Sequence, residues 1–324
     1  MIDRRQLNKL AFGSLLALTG AWALAQPAAY PVRPVKLVVP FPPGTGTDTS
    51  ARVVAQYLQT ALGQPFVVDN KPGAGGSIGA MEVVRAAPDG YTLLFSSNSA
   101  LSSNVALLKT MPYDPAKDLA PVAGVGITTL ALLVRADYPP KNIQEFIAYV
   151  RQRPGKISAG YGSSSAQVPI SMLNKAAGLD ILSVLYKGIP LAVNDVLGGS
   201  LDFAFADIGN ATAQVSGGKM RALAVVSEKR NPLVPDWPAL AELFPGFDIS
   251  GWVAVAGPVG LPANVVDTLN KAITAAIATP DMEQKLATLG FAPMPLSPAQ
   301  LKNFAGTEIV KWNQLAKDAN IERQ

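Results

Sequence analysis

From Pro34 onward the chain alternates short β-rich runs with segments of helical period, and this alternation restricts the fold more than any other feature. Residues 35–41 read as a strand. From Ala51 the apolar positions Ala51, Val54, Leu58 and Ala61 recur at three- and four-residue steps, the period of a helix with one buried face. Residues 66–68 supply the next strand, residues 78–87 a second helix, and residues 91–96 a third strand entered through the turn signal Pro88-Asp89-Gly90. Strand, helix, strand, helix, strand is the order of a parallel sheet covered by helices. A second α/β set spans residues 127–248, with strands at 130–134, 156–161, 181–186 and 201–206 and helices at 142–150 and near 170–177. Residues 231–247 are proline-rich and read as an irregular return. Two such sets fit a 324-residue chain at about 100–200 residues per domain. Helix starts are marked by Asn142 with Glu145 three residues on, by Thr279-Pro280 and by Ser297-Pro298. Leu301, Phe304, Trp312 and Leu315 give the last helix an apolar stripe.

The chain contains neither cysteine nor histidine. That removes disulfides, thiolate and imidazole metal sites, a cysteine nucleophile and the Ser-His-Asp triad, and closes most routes to hydrolysis and metal chemistry. No metal and no cofactor is expected. At the N-terminus Arg4, Arg5 and Lys9 precede an uncharged run over residues 10–25 that ends in Ala23-Leu24-Ala25. This is the layout of an export signal peptide, residues 1–25, cleaved after Ala25. The run is shorter than the ~20 apolar residues of a spanning helix. The adjacent arginines suit the twin-arginine route, and no cysteine follows for lipidation. Beyond residue 25, 24 basic groups face 22 acidic ones, a net charge of +2. No block of Lys and Arg is left to track phosphates, so no nucleic-acid partner is expected.

Three glycine-rich loops carry the chemistry. The first, Pro40-Phe41-Pro42-Pro43-Gly44-Thr45-Gly46-Thr47-Asp48-Thr49, lies between a strand and a helix. Glycines let its backbone approach a ligand, and the free N–H groups of the following helix favour an anion such as a carboxylate. Thr45, Thr47 and Thr49 add hydroxyls; Asp48 either caps the helix or meets a cationic or hydroxyl group of the ligand. No lysine stands where a phosphate loop needs one, which disfavours ATP and GTP. The second loop, Lys71-Pro72-Gly73-Ala74-Gly75-Gly76-Ser77-Ile78-Gly79, misses the dinucleotide spacing G-x-G-x-x-G by one residue. It also lacks an acid at the end of the next strand, which disfavours NAD. The third loop, running from Ser158 to Gln167, is the counterpart of the first in the second half of the chain. Two such loops facing each other across a crevice would form a ligand site. A serine of this loop acting as nucleophile would need a desolvated lysine as base, and Lys175 and Lys187 are nearest in sequence.

Several words in order, from the first loop through Asn70-Lys71-Pro72-Gly73-Ala74-Gly75-Gly76-Ser77-Ile78-Gly79, Ala87-Pro88-Asp89-Gly90-Tyr91-Thr92-Leu93-Leu94, Tyr186-Lys187-Gly188 and Leu223-Ala224-Val225 to Gly251-Trp252, resemble the Bug family. These are the TctC-like, exported solute-binding receptors of tripartite tricarboxylate transporters. The resemblance spans essentially the whole mature chain. It implies a type II periplasmic binding protein, an α/β fold of two lobes joined by a hinge with a ligand cleft between them. Lobe 1 would comprise residues 26–126 plus 249–324 and lobe 2 residues 127–248.

It further implies a periplasmic, monomeric, non-enzymatic protein that captures a small carboxylate (di- or tricarboxylate, aromatic or amino-acid) and delivers it to a membrane permease. A sensing receptor for a signalling partner, or a Ser-Lys hydrolase, are the alternatives. Carried over by position, Phe41, Gly44, Thr45, Gly46, Thr47 and Asp48 of lobe 1 and Gly162, Ser163, Ser164 and Ser165 of lobe 2 would grip the ligand. Ser97 and Asn98 would serve as side-wall donors, and Asp207 would face the far end of the cleft. Phe41, Tyr161 and Trp252 line an aromatic pocket or belong to the core. The chain departs from the family at Thr45 and Thr47, where glycine or another small residue is frequent, at Gln167, near a common histidine, and at Leu185, in place of a proline. These positions bear on the ligand more than on the fold.

Overall fold

β1 (Val35–Val39) has four of its five residues buried, because it is a central strand, between parallel β2 (Phe66–Asn70) and β3 (Thr92–Ser97), and the helices that connect these strands pack against it. A strand covered on both faces reads as a continuous apolar run instead of alternating, which is why it was legible. The computed structural model describes residues 30–323; the signal peptide expected at residues 1–25 lies outside the described residues. α1 (Gly46–Leu62) and α2 (Ser77–Val84) make the crossovers between these strands. α1 buries Ala51, Val54 and Leu58 as its period demands and stops at Gly63, whose φ of 71° places it in the left-handed region that glycine tolerates. Ala61, in the last turn, is exposed.

After β3 a π-helical turn (Ser99–Ser103), α3 (Asn104–Leu107) and α4 (Pro115–Asp118) lead to β4 (Leu119–Arg135). Here the structure corrects the expectation of a purely parallel sheet with a short strand at 130–134. β4 is 17 residues long and antiparallel to its partners. Residues 119–129 pair with β9 (Ser250–Pro258), whereas Leu130 to Arg135 pair with β7 (Phe203–Asp207) and β8 (Met220–Val225). Pro121, Gly124 and Gly126 hide the first part from a reading of β propensity. The glycines are required by close approach: a Cβ on Gly124 would lie 2.6 Å from Met294 O, and one on Gly126 3.0 Å from Phe291 Cβ.

The second set contributes α5 (Ile143–Arg151), β5 (Ile157–Tyr161), α6 (Ser164–Ala177), β6 (Ile181–Leu185), α7 (Ile189–Gly198) and α8 (Ile208–Ser216). β5 runs parallel to β6 and β7. Among the described residues the strands form one curled mixed sheet in the order β2-β1-β3-β9-β4-β7-β5-β6, with β8 and the short β10 (Ala292–Pro293) also on β4. Residues 231–247 hold a single 3₁₀ turn, Leu240–Glu242.

α9 (Ala263–Ile277), α10 (Pro280–Thr288) and α11 (Pro298–Asp318) complete the chain. Asn142, Thr279 and Ser297 cap α5, α10 and α11, each side chain accepting from the main-chain N–H three residues on. One core gathers Phe146, Phe203 and Phe205 with Trp312 of α11; another gathers Val38, Leu94 and Trp252. Buried Glu308 ties them together, its Oε2 accepting from Trp252 Nε1 at 3.0 Å and Trp312 Nε1 at 3.1 Å. Among the described residues no helix is long and apolar enough to cross a membrane.

Candidate functional site

The carboxyl ends of β1, β3, β5 and β7 converge on a cavity of about 80 Å³. Its lining includes Phe41, Thr45, Gly46 and Thr47 after β1, Ser97 and Asn98 at the end of β3, Gly162 and Ser163 after β5, and Asp207 at the end of β7. Gly44 and Asp48 are outside the lining, and Ser164 and Ser165 open α6 with side chains outside what the structure describes.

In the first loop Thr45 is the N-cap of α1, its Oγ1 accepting from Asp48 N at 3.3 Å and donating to Pro42 O at 3.0 Å. Thr49 Oγ1 is spent on Thr45 O and Gly46 O. Thr47 keeps a hydroxyl that is not tied to the loop. Asp48 reaches back one turn, and its carboxylate accepts from Gly44 N and Asn70 Nδ2, each at 2.9 Å, and from Arg52 Nε at 3.1 Å. Asn70 Nδ2 also donates to Phe41 O at 2.9 Å. Burial pushes the Asp48 carboxyl up, but the bonds from Arg52, Asn70 and Gly44 outweigh it and hold the group below its ordinary value. Asp48 is not the cap, a role that falls to Thr45; from the third position of α1 its side chain braces the loop ahead of the helix.

Asn98 is 2% exposed, and its Nδ2 has no hydrogen-bond partner. A buried donor left unmade is costly, so an unfilled one in a cavity wall marks a place where an acceptor belongs. Across the cavity Ser163 caps α6, accepting from Ala166 N at 3.3 Å. Gly162 is required there, since a Cβ would stand 2.2 Å from Ile189 N and 2.3 Å from Gly188 C. Gly188 in turn lies against Pro42 and Thr45, so the second half of the chain touches the first loop directly.

Asp207 caps α8, its carboxylate accepting from Asn210 N at 3.1 Å and Asn210 Nδ2 at 2.9 Å, and also from the main-chain N–H of Gly46. Burial raises its carboxyl above the ordinary value against the opposing effect of these donors.

Sequence reading missed the floor of the cavity, where β4 and β9 pass between the two sets of strands: Thr128, Leu130, Ser250 and Val253, with Ile249 and Phe291 beside them. Thr128 Oγ1 donates to Gly290 O at 2.6 Å and Thr129 Oγ1 to Ile249 O at 3.1 Å, which pins the crossing. Gly251-Trp252 was the one available signal. Trp252 lines the cavity with its N–H committed to Glu308, whereas Tyr161 is core and stays out of the lining.

The second glycine loop borders a separate outer cavity of about 430 Å³ with Tyr186 and Lys187, sharing Phe41, Gly162 and Ser163 with the inner one. Lys187 is exposed, and Lys175, also exposed, donates to Asp318 O. Neither is the desolvated base that Ser-Lys hydrolysis requires. Among the described residues no group of three or more acids gathers where a metal ion would sit.

A family model described as the tripartite tricarboxylate transporter family receptor matches residues 50–321. Protein BugT of Bordetella pertussis is 36% identical over 317 residues, covering 96% of this chain and 96% of BugT. The solved periplasmic binding protein BugD matches with a TM-score of 0.86 at 36% identity, covering 91% of this chain and 100% of BugD. Rpa4515 of R. palustris, solved with adipate, matches with a TM-score of 0.88 at 32% identity, covering 91% of this chain and 100% of that one.

Proposed function

The chain belongs to the tripartite tricarboxylate transporter receptor family and has the fold of its Bug-type periplasmic binding proteins, and from that premise we propose that it captures a small carboxylate in the periplasm and hands it to the permease of such a transporter. Residues 1–25 would direct export, and the protein would act as a monomer that binds without catalysis. Residues 26–126 plus 249–324 form lobe 1 and residues 127–248 lobe 2 in this reading. The strand pairing supports a division near there but not that boundary residue: β4 changes partners between Thr129 and Leu130, and residues 127–129 still pair with β9 of lobe 1. The last turns of α11, counted with lobe 1, also pack on the lobe 2 core through Trp312 and Ala316, so α11 acts as a strut beside the hinge.

The carboxylate sits between the N-termini of α1 and α6, where main-chain N–H groups and the helix dipoles favour negative charge. Thr47, Ser163 and Asn98 add side-chain donors, while Phe41, Trp252 and Phe291 hold the carbon skeleton. Closure is driven by what the guest adds to the closed state alone, since donors from both lobes reach it only there. A hydrogen bond to a charged group contributes about 1.5–3 kcal/mol. The unfilled Nδ2 of Asn98 is the observation that carries the reading. Adipate in the R. palustris relative supports the ligand class.

The test is isothermal titration at neutral pH with mono-, di-, tricarboxylates and aromatic carboxylates. At least one guest should bind, and Asn98→Ala should weaken it by about 10- to 100-fold, the loss of one charge-assisted bond. A folded protein that binds no member of the panel contradicts the proposal.

A further inference from the structure

The proposed site takes an anion, yet among the described residues the one ionisable side chain in its lining is itself a carboxylate, Asp207. Its hydrogen-bond partners are all neutral: the main-chain and side-chain amides of Asn210 and the N–H of Gly46. Among the described residues, the elements packed around it bring no counter-charge. α1 presents Gly46 and Thr47, and β4 sets Leu130 opposite Asp207 in the register with Thr128 two residues before it. Across the cavity β9 presents Ser250 and Val253, with Phe291 beside them. Asp48 and Arg52, the charged pair of α1, bond to each other and stand outside the lining. Asp207 is partly buried, its remaining exposure lying in the cavity wall, and a carboxylate drawn out of bulk water without a cation is costly; desolvation raises its carboxyl above the ordinary value. The inner cavity therefore has neutral donors for one negative group and, beside them, a carboxylate that is itself held by neutral donors alone, with no cation against it among the described residues.

We infer that Asp207 is the residue that sets the charge of the guest: the site selects a carboxylate that also carries an ammonium group, which supplies the missing counter-ion of Asp207, over a dianion of the same length. This rests on the carboxylate-capture reading above and names the guest's second group. The carboxylate goes to Asn98 and the helix N-termini, the ammonium to the open face of Asp207, and the methylenes between them to Phe41 and Trp252.

The probes are matched sets of three to six carbons, for example 4-aminobutanoate, succinate and butanoate, titrated into the wild type and Asp207→Asn. Asparagine is as good an N-cap as aspartate, so α8 keeps its start, and thermal unfolding verifies the fold. For at least one length the wild type should bind the amino acid at least 10-fold tighter than the diacid. Asp207→Asn should erase or reverse that ratio by weakening the amino acid and strengthening the diacid.

Diacids that bind the wild type as tightly as their amino-acid partners at every length, or a ratio unchanged in Asp207→Asn, overturn charge selection while leaving carboxylate capture standing. Butanoate binding as tightly as 4-aminobutanoate overturns it too, since Asp207 is then accommodated without a cation. If no member binds to folded protein and the wider carboxylate panel is also silent, capture itself fails and this inference with it.

Discussion

Asp48 and Asp207 are both carboxylates at helix N-termini, both accept main-chain N–H bonds, and both stand within one residue of the residues lining a single cavity, yet their surroundings drive them in opposite directions. Asp48 has a guanidinium and an amide from a neighbouring strand, so its charge is settled inside the loop and held below the ordinary carboxylate value. Asp207 has amides only, and burial raises it. A carboxylate whose charge is answered within the fold is structure. One whose charge is left open beside a cavity is available to a guest.

The largest effect expected from breaking this contrast is at Asp48. Asp48→Ala removes the acceptor for Gly44 N, Asn70 and Arg52 together and should cost about 2–3 kcal/mol in denaturant unfolding. Ligand affinity should fall with it, because the first loop loses its brace. Unchanged stability would show that the loop is held by other means.

The second effect is a pair of opposite pH dependences. The folded-state carboxyl of Asp48 is depressed below 3.8, so its stabilisation is present above that pH and is lost as pH falls through the folded value. The folded-state carboxyl of Asp207 is raised above 3.8, so the stability it contributes is fully present below 3.8 and is lost as pH rises through the folded value. Asp207→Asn should accordingly be more stable than wild type at neutral pH, with the gain vanishing in acid. Urea titrations at several pH values read both signs in one series. A variant less stable than wild type at pH 7 would mean that Asp207 is compensated in the unliganded protein.

The smallest effect sharpens the comparison at its contact point. A Cβ on Gly46 would lie 3.2 Å from Asp207 Cγ, tighter than ordinary packing, so the aspartate must give slightly. Gly46→Ala sits in the first turn of α1, where alanine suits the helix. It should leave the unfolding midpoint nearly unchanged and weaken binding by a few-fold. A variant that binds as wild type does would place the guest away from this contact.

What was legible in the sequence was local. The helix caps at Asn142, Thr279 and Ser297 depend on groups three residues apart, and β1 and the face of α1 announce themselves by their own apolar pattern. The glycine loops were legible as loops because their residue types have few other uses. What escaped depends on distant neighbours. β4 and the floor it forms are interrupted by glycines whose reason is the segment around Phe291 and Met294. Glu308 carries no local signal of holding two tryptophans, one of them 56 residues away. Asp48 was recognised, but the partner that helps decide its role, Asn70, lies 22 residues further on in β2. Asp207 was placed at the cleft, yet its lack of a cation is a property of every wall at once.

The most direct test is a crystal structure of the protein with a carboxylate that titration shows to bind. The account predicts one guest carboxylate within hydrogen-bond distance of Asn98 Nδ2 and the first-turn amides of α1 and α6. A guest held elsewhere, with Asn98 Nδ2 satisfied by the protein itself or by water, would contradict it.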